Sequence, residues 1–449
     1  MSDTEANLSS INTPGQVLFA SLIGTTIEFF DFYIYGTAAV LVFPRLFFPP
    51  TDPAAATLAS LATFGVAFVA RPIGSLLFGH FGDRLGRKTT LVLALLCMGV
   101  STFLIGALPG YGTLGLVAPV LLALCRFGQG VGLGGEWGGA VLLAVENAPA
   151  NRRALYGMFP QFGAPIGFLL SGGIFLLLSR WLSEAQFFAW GWRLPFLASA
   201  ALVLVGLYVR LKITETPVFQ AAVRRAEQVD VPMVDVFRLH WRAFVAGVLV
   251  CLATFVLFYL ITVFALSWGT TTLHYSRTDF LLMQLFGVCF FALTIPVSAF
   301  LAERGRRPMM MAATVSIGLY GFVLAPLFAA GTVGVCAMLA LGLGLMGLTY
   351  GPLGTVVAEL FPTPVRYTGS SLAFSTAGIL GASLAPYAAT WLASHHGLPW
   401  VGYYLSTSAA LTFLGLLLVG ETKGGDFYTG WSPDEKNCPE GVRQNSSLL

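Results

Sequence analysis

Five ionisable side chains stand inside long apolar stretches of the chain: Glu28, Asp31, Arg71, Arg126 and Glu136. A charge in a membrane span costs about 2.5–3.5 kcal/mol on insertion scales, so such residues usually face an internal cavity. Glu28 and Asp31 are three positions apart, which places both carboxyl groups on one face of a helix, and Tyr35 continues that polar stripe. The pattern predicts a polar passage through an otherwise apolar protein.

The two carboxyl groups are candidates for carrying a proton. An apolar cavity disfavours the charged form of a carboxylate, particularly beside a second carboxylate. Either Glu28 or Asp31 could therefore take up and release a proton. The alternative is that both are permanent ion-pair partners of arginines and do not titrate.

Arg126 is the first candidate for holding an anionic solute, because a guanidinium offers a planar fork that matches a carboxylate. Gly130, Gly134 and Gly138 follow it at four-residue steps, so this helix face is nearly free of side chains and lets another helix or a solute come close. The alternative is an internal ion pair with Glu28 or Asp31.

Two further charges and one tyrosine complete the candidate set. Arg71 either lines a vestibule or anchors the loop that follows it. Glu136 is better explained by a structural pairing near its helix end. We predict substrate contact by Arg126, Arg71 and Tyr35, and proton coupling by Glu28 and Asp31.

The elements that position these residues are predicted to be membrane helices. Hydrophobic residues make up 56% of the 449 residues, charged residues 10%, and mean hydropathy is +0.78, whereas about a quarter of the residues of a soluble domain are charged. A bilayer core requires about 20 apolar residues per helix. Twelve segments meet that length: 16–43, 57–80, 88–108, 115–141, 155–178, 191–212, 241–268, 280–301, 309–330, 333–358, 368–393 and 399–420.

Lysine and arginine positions predict the orientation of these segments. Eighteen of the 24 basic residues fall on one side of the proposed map, which indicates that both termini are cytoplasmic. The predicted organisation is an N-terminal segment, a six-helix bundle, a cytoplasmic linker, a second bundle and a polar tail: 1–15, 16–212, 213–240, 241–420 and 421–449.

Several function classes are excluded. The net charge of +3 is too small to favour nucleic acid. The chain has no HExxH, nucleophile elbow, haem or zinc spacing or Walker sequence, so we expect no enzyme activity, cofactor or metal. The expected partners are a small solute, protons and the lipid bilayer, and we expect a monomer.

The two halves repeat each other. The spacing E-x-x-P-x-x-x-R starts at Glu146 and again at Glu359, in each case after the fourth span of its half. Asp83-Arg84-Leu85-Gly86-Arg87-Lys88 follows the second span, and Glu303-Arg304-Gly305-Arg306-Arg307 follows the eighth. Matching loops at corresponding places predict a duplicated six-helix unit, a design that holds solute between the halves near the membrane midplane.

Four segments carry a resemblance to a known family: IEFFDFYIYG (27–36), VARPIGSLLFGHFGDRLGRKTTL (69–91), FGQGVGLGGEWGGAVLLAVENAPANRR (127–153) and ELFPTPVRYTGSS (359–371). The chain resembles the metabolite:proton symporter branch of the major facilitator superfamily over about residues 16 to 420. Members of this branch include carriers of shikimate, α-ketoglutarate, citrate, and proline or betaine.

The resemblance implies an all-α integral membrane fold of twelve transmembrane helices in two pseudo-symmetric six-helix bundles. It also implies that the loop after span two holds one access state closed, a role that we carry onto Asp83 and Arg87, whereas positive-inside charge explains Arg84 and Lys88 equally well. The gating or signature-loop positions that we predict are Gly82, Asp83, Arg84, Gly86, Arg87, Glu146, Arg153, Glu359 and Arg366. Two departures from the pattern stand out. The loop after span eight is one residue shorter, which weakens its expected gating role, and the tail lacks the heptads of the osmosensing proline/betaine relative.

The expected function is secondary active transport, namely proton-coupled symport of a small organic acid into the cell, in the inner or plasma membrane. The alternatives are a carrier of a zwitterionic osmolyte such as proline or betaine, and an uncoupled facilitator.

Overall fold

The computed structural model describes residues 13–49, 53–212 and 232–424, and all regular structure in these ranges is helical. Among the residues in these ranges, twelve helices are long and apolar enough to cross a membrane. We number these long helices α1 to α12: Pro14–Leu41, Pro53–Arg84, Arg87–Ala107, Val117–Glu146, Arg153–Trp181, Leu194–Leu211, Trp241–Thr271, Arg277–Ala302, Arg306–Ala329, Gly331–Glu359, Thr363–His396 and Pro399–Leu418. Within the described residues, four short α-helices lie between them, namely Phe43–Leu46, Tyr111–Leu114, Glu184–Ala189 and Pro232–Leu239, and the 3-10 turns Ala150–Arg152 and Gly191–Arg193 precede α5 and α6.

The helix ends follow local chemistry. Thr13 and Gln16 exchange side-chain to backbone hydrogen bonds and form a capping box at the start of α1. Gly86, between α2 and α3, has a φ of 111°, a left-handed conformation that glycine adopts without the penalty of a side chain. The predicted spans are correct in number and place, but several helices extend beyond them because polar end residues also join the helices.

Two helices contain π-helical turns, Leu260–Phe264 in α7 and Ile379–Ser383 in α11. Gly378 precedes the turn in α11, and Gly381 lies within it. No equivalent signal marked the turn in α7, which consists of apolar and β-branched residues.

The two predicted pseudo-symmetric bundles are confirmed by the packing. In the first half the helix pairs α1–α5, α2–α4, α3–α4, α3–α6 and α1–α6 are in contact, and the corresponding pairs of the second half repeat them: α7–α11, α8–α10, α9–α10, α9–α12 and α7–α12. The halves meet along α2–α11 and α5–α8, which are themselves equivalent under the repeat. The core therefore lies within each bundle, and the surface between the bundles can hold a solute.

The boundaries of the linker and tail differ in detail from the expectation. Residues 213–231 and 425–449 lie outside the described residues, but Pro232–Leu239 is a helix packed against α2, α7 and α11. Glu421 accepts hydrogen bonds from the backbone N–H groups of Arg306 and Arg307 (2.9 and 3.2 Å). The tail therefore begins as a cap on the first turn of α9, so the expected boundary at 420 cuts through a structural contact.

Candidate substrate and proton site

A small chamber lies between the halves, with a volume of about 20 Å³, room for about one water molecule. Both halves contribute to its wall: Glu28, Phe29, Phe32, Tyr33, Arg71, Leu133 and Ala164 from the first, and Thr254, Phe255, Phe258, Tyr259, Met346, Tyr350 and Phe374 from the second. The wall is mainly aromatic, with one carboxyl group and one guanidinium group.

Glu28 and Arg71 face each other across this chamber. Nη2 of Arg71 lies 3.9 Å from Oε1 of Glu28, and their side chains are 4% and 0% exposed. Both carboxyl oxygens of Glu28 and Nε of Arg71 have no hydrogen-bond partner. Buried charged groups without hydrogen bonds are costly, so this arrangement is suited to receive polar atoms of a ligand or a proton.

The second half presents two unpaired hydroxyl groups to the same chamber. Oγ1 of Thr254 and the phenol oxygen of Tyr350 are buried without a hydrogen-bond partner. Thr254, Tyr259 and Tyr350 are not among the residues singled out from the sequence. The only available signal for Thr254 was a hydroxyl in the middle of an apolar span, which is common in membrane helices.

Arg126 is not among the side chains that line the chamber. It is fully buried, with its guanidinium 4.0 Å from the ring centre of Tyr35 and 4.4 Å from that of Phe32, distances typical of cation–π contacts. Nη1 donates to Oε1 of Gln129 (2.9 Å), whereas Nε and Nη2 have no partner. Tyr35 also points away from the chamber and donates its hydroxyl to Thr63 (2.8 Å).

Asp31 is joined to Arg126 through two polar side chains. Thr102 donates to Oδ2 of Asp31 (3.0 Å), and Nε2 of Gln129 donates to the hydroxyl of Thr102 (2.7 Å). Gln129 is also the partner of Arg126. A continuous buried chain therefore connects the carboxyl group to the guanidinium, in place of the direct ion pair considered from the sequence.

The glycine face of α4 receives a helix and not a solute. A Cβ on Gly130 would lie 2.3 Å from the carbonyl oxygen of Ala67, and one on Gly134 would lie 2.1 Å from that of Arg71. These glycines let α2 approach α4 closely. The glycine face therefore fixes the position of α2, and with it the position of Arg71.

Glu136 forms a buried ion pair with Arg210, which also donates to the carbonyl of Leu91 (2.6 Å). The structural pairing predicted for Glu136 is therefore present. Gly24 makes room for it, since a Cβ there would lie 2.2 Å from Nη2 of Arg210.

The floor of the chamber is an aromatic stack between the halves. The rings of Trp137 and Phe374 lie 3.5 Å apart and nearly parallel, at 7°. The indole N–H of Trp137 donates to Oε1 of Gln161 (3.1 Å), and the amide of Gln161 donates to the carbonyl of Tyr350 (3.0 Å). These contacts close the chamber towards the loops that follow α2 and α8, which we call the signature loops.

The loop after α2 closes that end further. Asp83 accepts hydrogen bonds from the N–H groups of Tyr367 (3.4 Å) and Thr368 (3.1 Å) and from the hydroxyl of Thr368 (2.8 Å). A carboxylate at the first turn of a helix is stabilised by the unpaired N–H groups and the helix dipole. Gly82 accommodates the ring of Tyr367, because a Cβ there would lie 2.8 Å from it.

The loop after α8 makes the equivalent contact from the second half to the first. Oε1 of Glu303 accepts hydrogen bonds from the N–H groups of Ala154 (2.7 Å) and Leu155 (3.1 Å) at the start of α5. The expectation that this shorter loop has a weaker gating role is not supported by its geometry. The lost residue leaves the acid at the end of α8, where it still reaches the other half.

The repeated E-x-x-P-x-x-x-R positions also reach ion pairs. Glu146 contacts Arg366 of the other half at 3.5 Å, whereas Glu359 pairs with Arg306 at 3.2 Å and accepts a hydrogen bond from Thr422 (2.6 Å). Three other predicted signature-loop positions are Arg153, Arg84 and Gly86. Arg153 lies at the start of α5, Gly86 lies in the turn between α2 and α3, and Arg84 is exposed, with its Nη1 3.5 Å from Nε2 of His80. The side chain of Arg87 lies outside the described part of the structure.

The opposite end of the molecule is more open. A second small cavity shares Tyr33, Phe258 and Tyr259 with the chamber, so these rings separate the two. Beyond it a cavity of about 670 Å³ lies between Arg45 of the first half and Arg277 of the second. The chamber is therefore closed at the signature loops and separated from the far side mainly by aromatic side chains.

Comparison with known proteins finds one matching family, described as sugar (and other) transporter, over residues 17–231 and 233–429. The chain is 55% identical to the inner membrane metabolite transport protein YhjE of Escherichia coli, covering 94% of this chain and 97% of that one. It is 36% identical to the shikimate transporter of Escherichia coli (92% and 96% covered) and 34% identical to its proline/betaine transporter (91% and 83% covered).

A solved structure has a similar fold. The proton:xylose symporter XylE, a major facilitator superfamily protein, superposes with a TM-score of 0.71 at 19% identity, covering 92% of this chain and 97% of XylE. At this identity the likeness concerns the fold alone.

Proposed function

This chain belongs to the sugar (and other) transporter family of major facilitator carriers, and from that premise we propose that it is a proton-coupled symporter that brings a small carboxylate-bearing metabolite into the cell by alternating access. It is a metabolite transporter with twelve apolar helices. We further propose that it acts as a monomer in the inner membrane with both termini cytoplasmic, as its basic residues favour. The observation that carries the proposal is the chamber in which the carboxyl oxygens of Glu28 and Nε of Arg71, none of which has a hydrogen-bond partner, meet unpaired hydroxyl groups of the other half.

Arg71 holds the solute carboxylate in this proposal, and Arg126 acts from behind the chamber wall. Arg71 lines the chamber and its Nε is free to donate. Arg126 is enclosed by rings and is connected through Gln129 and Thr102 to Asp31. Through this chain Arg126 positions the carboxyl group of Asp31 and does not contact the solute.

Proton and solute binding are coupled through competition for Arg71. At 3.9 Å an ionised Glu28 attracts the guanidinium by about 4 kcal/mol in an effective dielectric of about 20. A proton on Glu28 removes that attraction and frees Arg71 for the solute carboxylate. By linkage, the bound solute in turn favours the proton to the same extent.

The first test measures binding without transport. The melting temperature of the purified protein is followed with mono-, di- and tricarboxylates, aromatic acids and betaines, since a ligand at 100 times its Kd stabilises by about 2.7 kcal/mol. Arg71→Gln should abolish stabilisation by the best carboxylate. Arg180→Gln, which removes an exposed arginine at the end of α5, is the matched control and should retain it. Equal stabilisation of the two variants would refute the role of Arg71.

The second test separates coupling from binding in proteoliposomes. An inward proton gradient should drive accumulation of the identified solute by the wild type, and a protonophore should collapse it. Glu28→Gln should lose accumulation and still exchange labelled for unlabelled solute. If the double variant Glu28→Gln, Asp31→Asn still accumulates solute, the coupling residue lies elsewhere. If the wild type transports solute but does not accumulate it against a gradient, the protein is a facilitator.

A zwitterionic solute is the second candidate, and the aromatic wall favours it. Ring faces attract ammonium groups, and Glu28 supplies a negative charge beside them. The proline/betaine relative is consistent with this candidate. Stabilisation by betaine or proline, without stabilisation by shikimate or citrate, would select it.

A further inference from the structure

The helix Pro232–Leu239 presents an apolar face that the protein itself does not cover. Pro232 and Val236 are buried against the bundle, whereas Val234 and Phe237 on the opposite side are 47% and 49% exposed, and Leu239 at the end of the helix is 66% exposed. In water such a cluster on one short helix would be unfavourable. This face therefore requires an apolar neighbour.

The position of the helix identifies that neighbour. The chain turns at His240 directly into α7, whose first residue, Trp241, is 52% exposed. Tryptophan at the start of a span is typical of the level of the lipid headgroups. Phe237 packs on Phe244 in the first turns of α7, with ring centres 5.3 Å apart. The exposed face is thus continuous with the lipid-facing surface of α7.

Charge specifies the kind of lipid. Arg238 and Arg242 flank the apolar face and are exposed, and Asp235 is the one acid of the helix. Arginines beside an exposed apolar face are typical of helices that lie in the headgroup layer and bind anionic lipids. The same helix contacts the first turn of α11, Thr363–Val365, close to the residues that Asp83 holds.

We propose that Pro232–Leu239 is an interfacial helix that docks into the headgroup layer and binds anionic phospholipid through Arg238 and Arg242. Its apolar face enters the boundary between headgroups and acyl chains. The bound headgroups hold the helix against the start of α11. This assignment moves the second part of the predicted cytoplasmic linker into the membrane surface and is independent of the solute carried.

The test measures the depth of the helix in vesicles. A nitroxide on Phe237→Cys, in a background without native cysteines, is compared with one on Leu85→Cys, which is 65% exposed in the loop after α2. In phosphatidylcholine vesicles, each label's collision rate with oxygen is divided by its collision rate with an aqueous nickel chelate. This ratio should be several-fold higher for the label at position 237 than for the label at position 85. Equal nickel access at both sites would overturn the proposal.

The lipid arm uses vesicles with 30% phosphatidylglycerol. Anionic lipid should lower nickel access at Phe237 further, because each arginine near a charged surface favours the docked state by about fivefold. Arg238→Gln with Arg242→Gln should abolish this effect, whereas the control Arg180→Gln should retain it. A phosphatidylglycerol effect that is absent in the wild type, or unchanged in the double variant, would refute the anionic-lipid assignment.

Discussion

Removing the charge of Asp83 should open the signature-loop end of the carrier by a calculable amount. Asp83 accepts three hydrogen bonds from Tyr367 and Thr368 of the other half. Asp83→Asn keeps one acceptor but loses the charge at the helix start and about one charge-assisted bond, a loss of about 2 kcal/mol. That is a shift of about thirtyfold, so a closed state populated at about 99% would fall to about 77%.

Glu303→Gln should have a similar effect, because Glu303 accepts two bonds from the start of α5. Asp83 and Glu303 belong to two separate contacts between the halves, so the free-energy effects of the two substitutions should add. The double variant should therefore shift the equilibrium by about 900-fold and make the open state dominant. Its solute exchange should be limited by return to the closed state.

Distances between spin labels at Leu85 and Arg304, one in each half, report the two populations by pulsed electron resonance. Each single variant should show a longer-distance population that grows in the double variant. Asp279→Asn is the matched control, since this aspartate pairs with Ser276 of its own half. Unchanged distances in the Asp83 and Glu303 variants would refute the reasoning that these acids hold the halves together.

Three further predictions concern stability and closure. Gly24→Ala should lower the melting temperature by a few degrees, because its Cβ would lie 2.2 Å from Nη2 of Arg210 and the buried guanidinium must shift and lose part of its pairing with Glu136, a cost of about 1–3 kcal/mol; an unchanged melting curve would contradict this. Gln161→Leu should weaken the closed state by about 1–3 kcal/mol, since it leaves the carbonyl of Tyr350 without this bond, and the same spin-label distances would report it. Glu421→Ala should destabilise the protein by about 1–2 kcal/mol through loss of the cap on α9. Removing residues 425–449, which leaves this cap in place, is the control and should change the melting temperature by no more than a degree or two.

The fold was predictable because each span is a long apolar stretch and the chain repeats its own loops. The sequence does not contain the rotation of each helix about its axis. Arg71 and Arg126 had similar signals, and only the packing of α2 on α4 determines which one reaches the chamber. That packing depends on a contact in which a Cβ on Gly74 would lie 1.9 Å from the carbonyl of Val131.

The second half of the site was harder to predict. Thr254 and Tyr350 are polar residues of kinds that also occur in ordinary helix packing, and they gain meaning only by facing Glu28 across the chamber. Glu303 was undervalued for another reason. The loop after α8 is one residue shorter than the loop after α2, which suggested that its charged residues no longer align with the equivalent contacts. Glu303, however, reaches the first turn of α5 directly from the end of α8.

The chamber of about 20 Å³ also bears on the electrical integrity of the membrane. One isolated water molecule cannot form the wire along which protons hop, and no hydrated ion fits such a space. An empty carrier in this conformation would therefore insulate as well as the lipid around it. A cell could therefore hold many empty copies in this conformation without opening a leak for protons or ions.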